Sequence, residues 1–388
     1  MRAVSTALSF FDQSFNPTTL HLFELLNVAF IQQCTGIISS KKTIALLFFM
    51  NKIFRLLFIF SFLPGIYSCK KELVARGKKP DVNVYVAGYE AHVAKYWRNG
   101  YPVNVTDGSH SAVLNSIVVS GNEVYVAGYE LNNANKKVAK YWKNGEAVVL
   151  SNSLENAEAA SIAVSGSDVY VAGFEYDDSE KGVAVCWING NAVSLSGYGV
   201  SARAYSAAVS GNDVFVAGRN EYGTATYWKN GNAVSLSNNA TALSIAISGQ
   251  DVYVAGVAEI YYGSCLLLKA VVWKNGVQTY LNDGSYETYA YSIAVSGNMV
   301  FVAGNSDGSG RTAAYWKNGV PAHFGLNDIL TTSVAVSQSN VYMAGVGYLY
   351  AAGSASKSVA KYWKNGIPIN LTDGSNDAAA LSIFVSPQ

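Results

Sequence analysis

Glu123–Glu130 reads EVYVAGYE and Val138–Ser151 reads VAKYWKNGEAVVLS, and the same sentence recurs along most of the chain. Its clearest marker is a tryptophan followed two residues on by Asn-Gly, at Trp97, Trp142, Trp187, Trp228, Trp273, Trp316 and Trp363. The steps are 45, 45, 41, 45, 43 and 47 residues, a period that belongs to solenoids, arrays and propellers. Every copy holds four short apolar runs, of the types SIAVS (Ser161–Ser165), VYVAG (Val169–Gly173), AKYW (Ala139–Trp142) and V-x-L (Val193–Leu195). At three to seven residues they predict strands, named A to D here. Ser-Gly-Asn between A and B, and Lys-Asn-Gly between C and D, supply the positive φ of tight antiparallel hairpins.

In strand B, Val169 and Val171 face one way and Tyr170 and Ala172 the other, so both faces need cover. Four-stranded sheets stacked as wedges provide it, with the small Ala and Ser of strand A at the narrow inner end. The tryptophans read as packing residues, each burying about 150 to 250 Å². The repeat region begins with B, C and D (from Val84) and finishes with an A strand (Leu381–Ser386), so seven complete sets result only if its two ends pair. Closure of that kind removes the open edges. Over residues 82 to 386 the pattern resembles seven-bladed β-propellers, an all-β fold. The Gly-His and Trp-Asp pair of WD40 repeats and the double glycine of kelch repeats are absent. An open solenoid is the alternative architecture, but neither end of the repeat region has the polar face of a capping repeat.

Upstream of the repeats the composition changes. Residues 1 to 80 hold 10 Lys/Arg against 3 Asp/Glu, and residues 81 to 388 hold 17 against 23, so a net charge of +1 is the sum of +7 and −6. A mildly acidic repeat region has no basic stripe with which to displace phosphate counterions, which argues against nucleic-acid binding. MNKIFR from Met50, LLFIFSFLPGI and IYSC ending at Cys69 form the three parts of a secretory signal. Ile66-Tyr67-Ser68-Cys69 resembles the lipobox of bacterial lipoproteins, and the following Lys70-Lys71-Glu72 resembles lipoproteins of the Bacteroidota. That resemblance implies lipidation at Cys69 and a lipid-anchored protein of the cell envelope; an uncleaved anchor helix is the alternative. Residues 1–49 are then expected to be an upstream extension from a misassigned start, 50–69 the signal, 70–80 a linker and 81–388 the propeller. Cys186 and Cys265, in different repeats, make no disulfide framework.

Antiparallel topology puts the A–B and C–D turns on one face, the turn face, and the B–C and D–A loops on the other. The turn face repeats with little change and carries six basic corners (Arg98, Lys143, Lys229, Lys274, Lys317, Lys364). Insertions such as 129–137 and 257–269 fall on the variable face, where binding loops usually sit. Because strand B starts at the turn face, a tether would enter there and the acidic variable face would point away from the membrane. That face is rich in tyrosine, and the candidate ligand-binding residues are Tyr176, Tyr198, Arg203, Tyr205, Tyr222, Tyr261, Tyr262, Tyr286 and Tyr289. Aromatic rings with few charged neighbours suit sugar stacking or protein contact.

Catalytic signatures are missing: the sequence contains no nucleophile elbow, P-loop or zinc motif, and no catalytic residue, metal ligand or cofactor is assigned. Asp307-Gly308-Ser309-Gly310 resembles the aspartate box of sialidase propellers, but its spacing is wrong and it is not repeated, although Arg203, Arg219 and Arg311 fall in variable-face loops. Asp-Gly-Ser at Asp107, Asp283 and Asp373 reads as a repeated turn before a calcium ligand. The expectation is a monomeric, noncatalytic binding or scaffold module for a glycan or protein. The alternative is a glycan-active enzyme with paired carboxylates such as Asp177 and Glu287.

Overall fold

The computed structural model of the chain describes residues 82–387, apart from 153, 198–200, 264, 282–286, 308–310, 323–328 and 350–356. These residues form seven four-stranded antiparallel sheets, each ordered A-B-C-D, arranged as a seven-bladed β-propeller. Blade 2 shows the plan: A is Ala112–Ser120, B is Glu123–Leu131, C is Lys137–Lys143 and D is Glu146–Val149. Blade 1 is assembled from both ends of the repeat region. Its strand A, Ala378–Pro387, pairs along the whole of its strand B, Val82–Glu90, which is the closure expected from the sequence.

Two features differ from the sequence expectation. Strands A and B are longer than three to seven residues, mostly eight to ten, because pairing continues past the repeat motif toward the variable face. The segment at 257–269 is no loop: blade 5 extends B to Asp251–Tyr262 and C to Cys265–Lys274, joined tightly through Gly263 at φ 63°. Its register runs unbroken from Tyr253↔Lys274 to Tyr262↔Cys265, with apolar residues on both strands.

The extra length of strand A comes with a β-bulge in all six A–B pairs outside the closure, and in the closure itself one falls at Ala87/Gly88. In blade 2 the shift lies between Leu114 and Ser116, opposite Gly128 and Ala127. The glycine is required by this close approach: a Cβ on Gly128 would stand 1.8 Å from the Val113 carbonyl oxygen. The same clash, 1.7 to 2.1 Å from a strand A carbonyl oxygen, recurs at the VAG-type glycine of every blade, Gly88 and Gly304 included. Next to each bulged residue stands a serine, and its Oγ accepts a hydrogen bond from a strand A amide of the following blade. Ser116 accepts from Ile162, Ser161 from Ala207 and Ser206 from Ile245. Ser244 accepts from Ile293, Ser292 from Val334, Ser333 from Ile383 and Ser382 from Ile117, which closes the circle at 3.0 to 3.3 Å throughout. At roughly 0.5 to 1.5 kcal/mol each, seven such bonds stitch every seam at the channel wall.

Farther out, the tryptophans hold the same seams. None of the seven is more than 2% exposed. Trp187 of blade 3 packs on Tyr125, Ala127 and Ala139 of blade 2, and Trp97 of blade 1 packs on Tyr342, Ala344 and Ala360 of blade 7. Each indole therefore reaches back onto the preceding blade, where alanines make room for it. The following Lys-Asn-Gly serves the turn face. Asn144 at φ 50° and Gly145 at φ 88° form the hairpin bend. The Asn144 amide donates to the Val124 carbonyl while its Oδ1 accepts from the Val124 amide, extending the ladder by a side chain. The lysine lies over the aromatic ring of strand B, as at Lys143 over Tyr125 and Lys317 over Phe301. So every residue of Trp-Lys-Asn-Gly has a structural partner.

Candidate functional site

The bulges decide what faces the channel. In all seven blades the bulged residue lines one cavity of about 660 Å³. In blades 1 to 3 these residues are Leu381, Asn115 and Ala160, in 4 and 5 Tyr205 and Leu243, and in 6 and 7 Tyr291 and Thr332. The seven seam serines form its floor. Tyr289, Leu330, Thr331 and Asn305 extend the wall, and they lie on the variable-face side of the bulges. Tyr289 and Tyr291 stand parallel, ring centroids 5.8 Å apart and 8° between planes. Among the described residues, none lining this cavity carries a formal charge.

Of the residues singled out from sequence, Tyr205 and Tyr289 enter the cavity wall. Neither is a loop residue; both belong to strand A, Arg203–Ser210 in blade 4 and Glu287–Ser296 in blade 6. Tyr176 ends strand B of blade 3, where its hydroxyl accepts from Arg203 Nη2 at 2.6 Å. The Arg203 guanidinium also lies 4.8 Å from the centre of the Phe174 ring, so its charge is spent between blades 3 and 4. Tyr222 and Tyr261 stand apart from the cavity at exposed positions in blades 4 and 5, 81% and 58% accessible. Tyr262 lies in strand B of blade 5. Tyr198, Tyr286 and Cys69 lie outside the described residues. The tyrosines whose side chains are described therefore do not make one patch: two join the channel, one braces an arginine and two are at the rim.

Tyr291, Asn115, Thr332 and Asn305 complete the wall and were not singled out in the sequence. The signal for the first three was present. The residue before the seam serine runs Asn, Ala, Tyr, Leu, Tyr, Thr, Leu through the repeats while its neighbours hardly change. Such a column inside a strand marks a position freed from packing.

Around the mouth, charges are paired. Glu158 accepts from Asn115 Nδ2 at 3.0 Å and from Lys137 Nζ at 2.8 Å. Burial acts to lower the Lys137 pKa, but the Glu158 carboxylate outweighs it and holds the ammonium above the ordinary lysine value. Arg203 and Arg219 are cross-strand partners at the end of blade 4, rather than loop residues, because the ladder runs on to them. They part to opposite seams, Arg219 reaching Glu259 of blade 5 at 2.9 Å. Arg311 begins strand C of blade 6. Arg203 and Arg219 therefore do not cluster with each other.

The paired-carboxylate candidates Asp177 and Glu287 are likewise engaged, outside the channel. Asp177 accepts from the amides of Ser179 and Lys181, and Glu287 from the Tyr289 hydroxyl; they belong to blades 3 and 6, three blades apart. Asp107 accepts from the amide and hydroxyl of Ser109 and Asp373 from the amide of Ser375, which is the turn reading of Asp-Gly-Ser. Those bonds hold both carboxyls below the usual carboxylate value; Asp283 lies outside the described residues. His110 Nε2 meets Asn133 Oδ1 at 2.9 Å. Among the described residues no group of three or more His, Cys, Asp or Glu side chains is placed to hold a metal ion. Cys186 is buried and its thiol pushed up to about 12 by burial, while Cys265 is exposed.

No protein-family model matches the chain, and no curated protein sequence matches it. Solved structures are similar at the level of the fold. The β-propeller domain of the trilobed protease from Pyrococcus furiosus, described as having an open velcro topology, is 12% identical, with a TM-score of 0.40 over 68% of this chain and 96% of its own. Acylaminoacyl peptidase from Pyrococcus horikoshii is 13% identical, with a TM-score of 0.45 over 76% and 52%. A thermostable family-43 glycoside hydrolase is 11% identical, with a TM-score of 0.37 over 71% and 95%.

Proposed function

We propose that the protein is a noncatalytic, lipid-anchored binding propeller of the cell envelope that takes a glycan or protein through its variable face. The observation that carries the reading is the bulge column. Seven blades built alike place a freely varied strand position on the wall of a cavity toward that face. Tyr205 and Tyr289 belong to the wall, and Tyr222 and Tyr261 at the rim are placed for further contact. Tyr198, Tyr262 and Tyr286 are assigned to the same face from the sequence, and Arg203 to positioning Tyr176.

The noncatalytic part of the reading is supported by the described residues of the cavity wall, which offer hydroxyls, amides and rings but no carboxylate, imidazole, thiol or amine for acid–base or nucleophilic work. Turn-face tethering is part of the proposal, supported by Val82 beginning strand B at that face. The test is to incubate the full chain with glycan and peptide arrays and then analyse every bound ligand for products. Retention of intact ligand is expected; turnover would overturn the noncatalytic reading. Metabolic labelling with a clickable fatty acid tests the anchor, and label surviving Cys69→Ser would remove Cys69 from it.

A further inference from the structure

We infer that the channel cavity receives the end of a neutral oligosaccharide, with one sugar ring laid against the Tyr291 side of the wall; this rests on reading the propeller as a binding module. The cavity volume, about 660 Å³, falls in the range of small-ligand sites. Its chemistry narrows the occupant. A charged group drawn into the cavity would meet no counterion among the described residues, because those of the wall are uncharged and the nearby Glu158 and Arg203 are already held by Lys137 and Tyr176. Burying it unpaired would cost several kcal/mol. That disfavours acidic glycans and the charged terminus of a peptide.

A purely apolar occupant fits no better. Each of the seven floor serines has its oxygen accepting an amide of the next blade, which leaves the O–H to donate into the channel. Asn115 donates through Nδ2 to Glu158 and to the Ala159 carbonyl, so its Oδ1 is the atom left to accept. Asn305 accepts the Thr331 amide on Oδ1, and its Nδ2 remains to donate. An apolar ligand would strip water from these groups and return nothing, at about 1 to 3 kcal/mol for each. Opposed to them is an aromatic and aliphatic arc: Tyr205, Leu243 and Tyr291 on consecutive blades, with Tyr289 parallel to Tyr291. A pyranose ring presents both faces of this chemistry, hydroxyls around its edge and C–H groups on its plane, which are drawn to the electron-rich face of a phenol ring. Ala160 is the smallest bulged residue and takes up the least of the cavity.

The test uses the full chain on arrays of neutral oligosaccharides (gluco-, manno-, xylo- and chito-series), acidic ones (uronate and sialylated) and peptides. Binding is expected on neutral series, weakened at least tenfold by Tyr291→Ala and, independently, by Ala160→Tyr, which fills the cavity without touching the platform. Tyr101→Ser, on the outer strand of blade 1, is expected to leave it unchanged. Thermal midpoints of the variants show whether either loss is one of folding, and two differently placed variants keep the test open if one of them is unstable. Binding only to acidic glycans or only to peptides would overturn the inference and leave the binding-module reading standing. So would neutral-glycan binding indifferent to both variants. Failure on all three arrays would overturn both.

Discussion

The turn face and the channel wall are built by the same seven repeats, and they differ in how freely their residues vary. On the turn face, the lysine, asparagine and glycine of the corner each contact something that recurs in every blade: a ring, the two polar groups of one backbone residue, or a bend of positive φ. In the wall the bulged side chain lines the channel and its partners differ from blade to blade, as Asn115 on Glu158 and Thr332 on the Ala380 carbonyl show, so Asn115, Tyr205 and Leu243 occupy equivalent places. A repeat keeps a residue where the same partner recurs in every blade and varies it where none does. The exceptions agree. Blade 3 has Ile188 in place of the corner lysine, yet keeps Asn189 and Gly190 with the same φ values near 50° and 87°.

The sharpest break of the comparison is removal of residues 378–387. This takes the inner strand from blade 1, together with Ser382 and its bond to Ile117, and exposes an edge on Val82–Glu90. Loss of the cooperative thermal transition and aggregation on size exclusion are expected; a monomeric variant with an unchanged midpoint would mean that closure is dispensable. Next in size is a contrast between two glycines. Gly128→Ala drives a Cβ into a backbone oxygen 1.8 Å away, whereas at Gly145 a Cβ meets nothing within 4 Å and only the positive φ is strained. The first should cost about 3 kcal/mol or more and the second about 1 to 2, measured by urea denaturation. Equal costs would show that the bulge can relax and that its glycine is not the device shaping the wall.

The constant half of the molecule was legible in the sequence because its rules are local. Asn-Gly bends, alternating strands and the Trp period are readable in any single repeat, and the pairing of the two ends follows from counting strands. What stayed hidden was the bulge. Reading Ser161–Ser165 as a complete strand put Tyr205 and Tyr289 in loops, since nothing in one repeat says that pairing continues past a skipped residue. The glycine of VYVAG was the trace of it: a strand-interior glycine marks a close backbone approach, here to a carbonyl at 1.7 to 2.1 Å in every blade. The tyrosines failed as a group for a related reason. Topology assigns them one face, but inside that face a bulge, a strand end and a hairpin tip send the described side chains to different places.

A smaller effect separates tryptophans that look identical in sequence. Trp273 Nε1 donates to Ser237 Oγ at 2.9 Å, while the buried Nε1 of Trp187 has no hydrogen-bond partner. Replacing the indole by phenylalanine removes comparable packing from both, but in blade 5 it also breaks a bond and strands a hydroxyl. Trp273→Phe should therefore cost about 1 kcal/mol more than Trp187→Phe. Equal losses by denaturant titration would make the seams energetically alike, and the variation would stop at the channel.

The smallest effect concerns a position where one blade departs from its neighbours. In blades 1 and 2 the glutamate ending the VAGYE segment is paired across the sheet, Glu90 with Lys95 and Glu130 with Lys140, both at 2.6 Å. Blade 3 keeps the acid as Glu175 but has Val185 opposite Gly173, where blade 2 has Lys140 opposite Gly128. Glu175 has no ion-pair or hydrogen-bond partner among the described residues, and burial raises its pKa above the ordinary glutamate value. The sign follows from linkage: a carboxyl whose folded pKa is raised contributes fully below its unfolded value near 4.5, and that contribution is lost as pH climbs through the folded value. At neutral pH the ion is therefore a burden on blade 3 that blades 1 and 2 do not bear. Glu175→Gln should raise the thermal midpoint at pH 7 and leave it unchanged at pH 4, where the acid is already protonated. A midpoint lowered at pH 7 would mean that the carboxylate has a cationic partner there, and blade 3 would rejoin its neighbours.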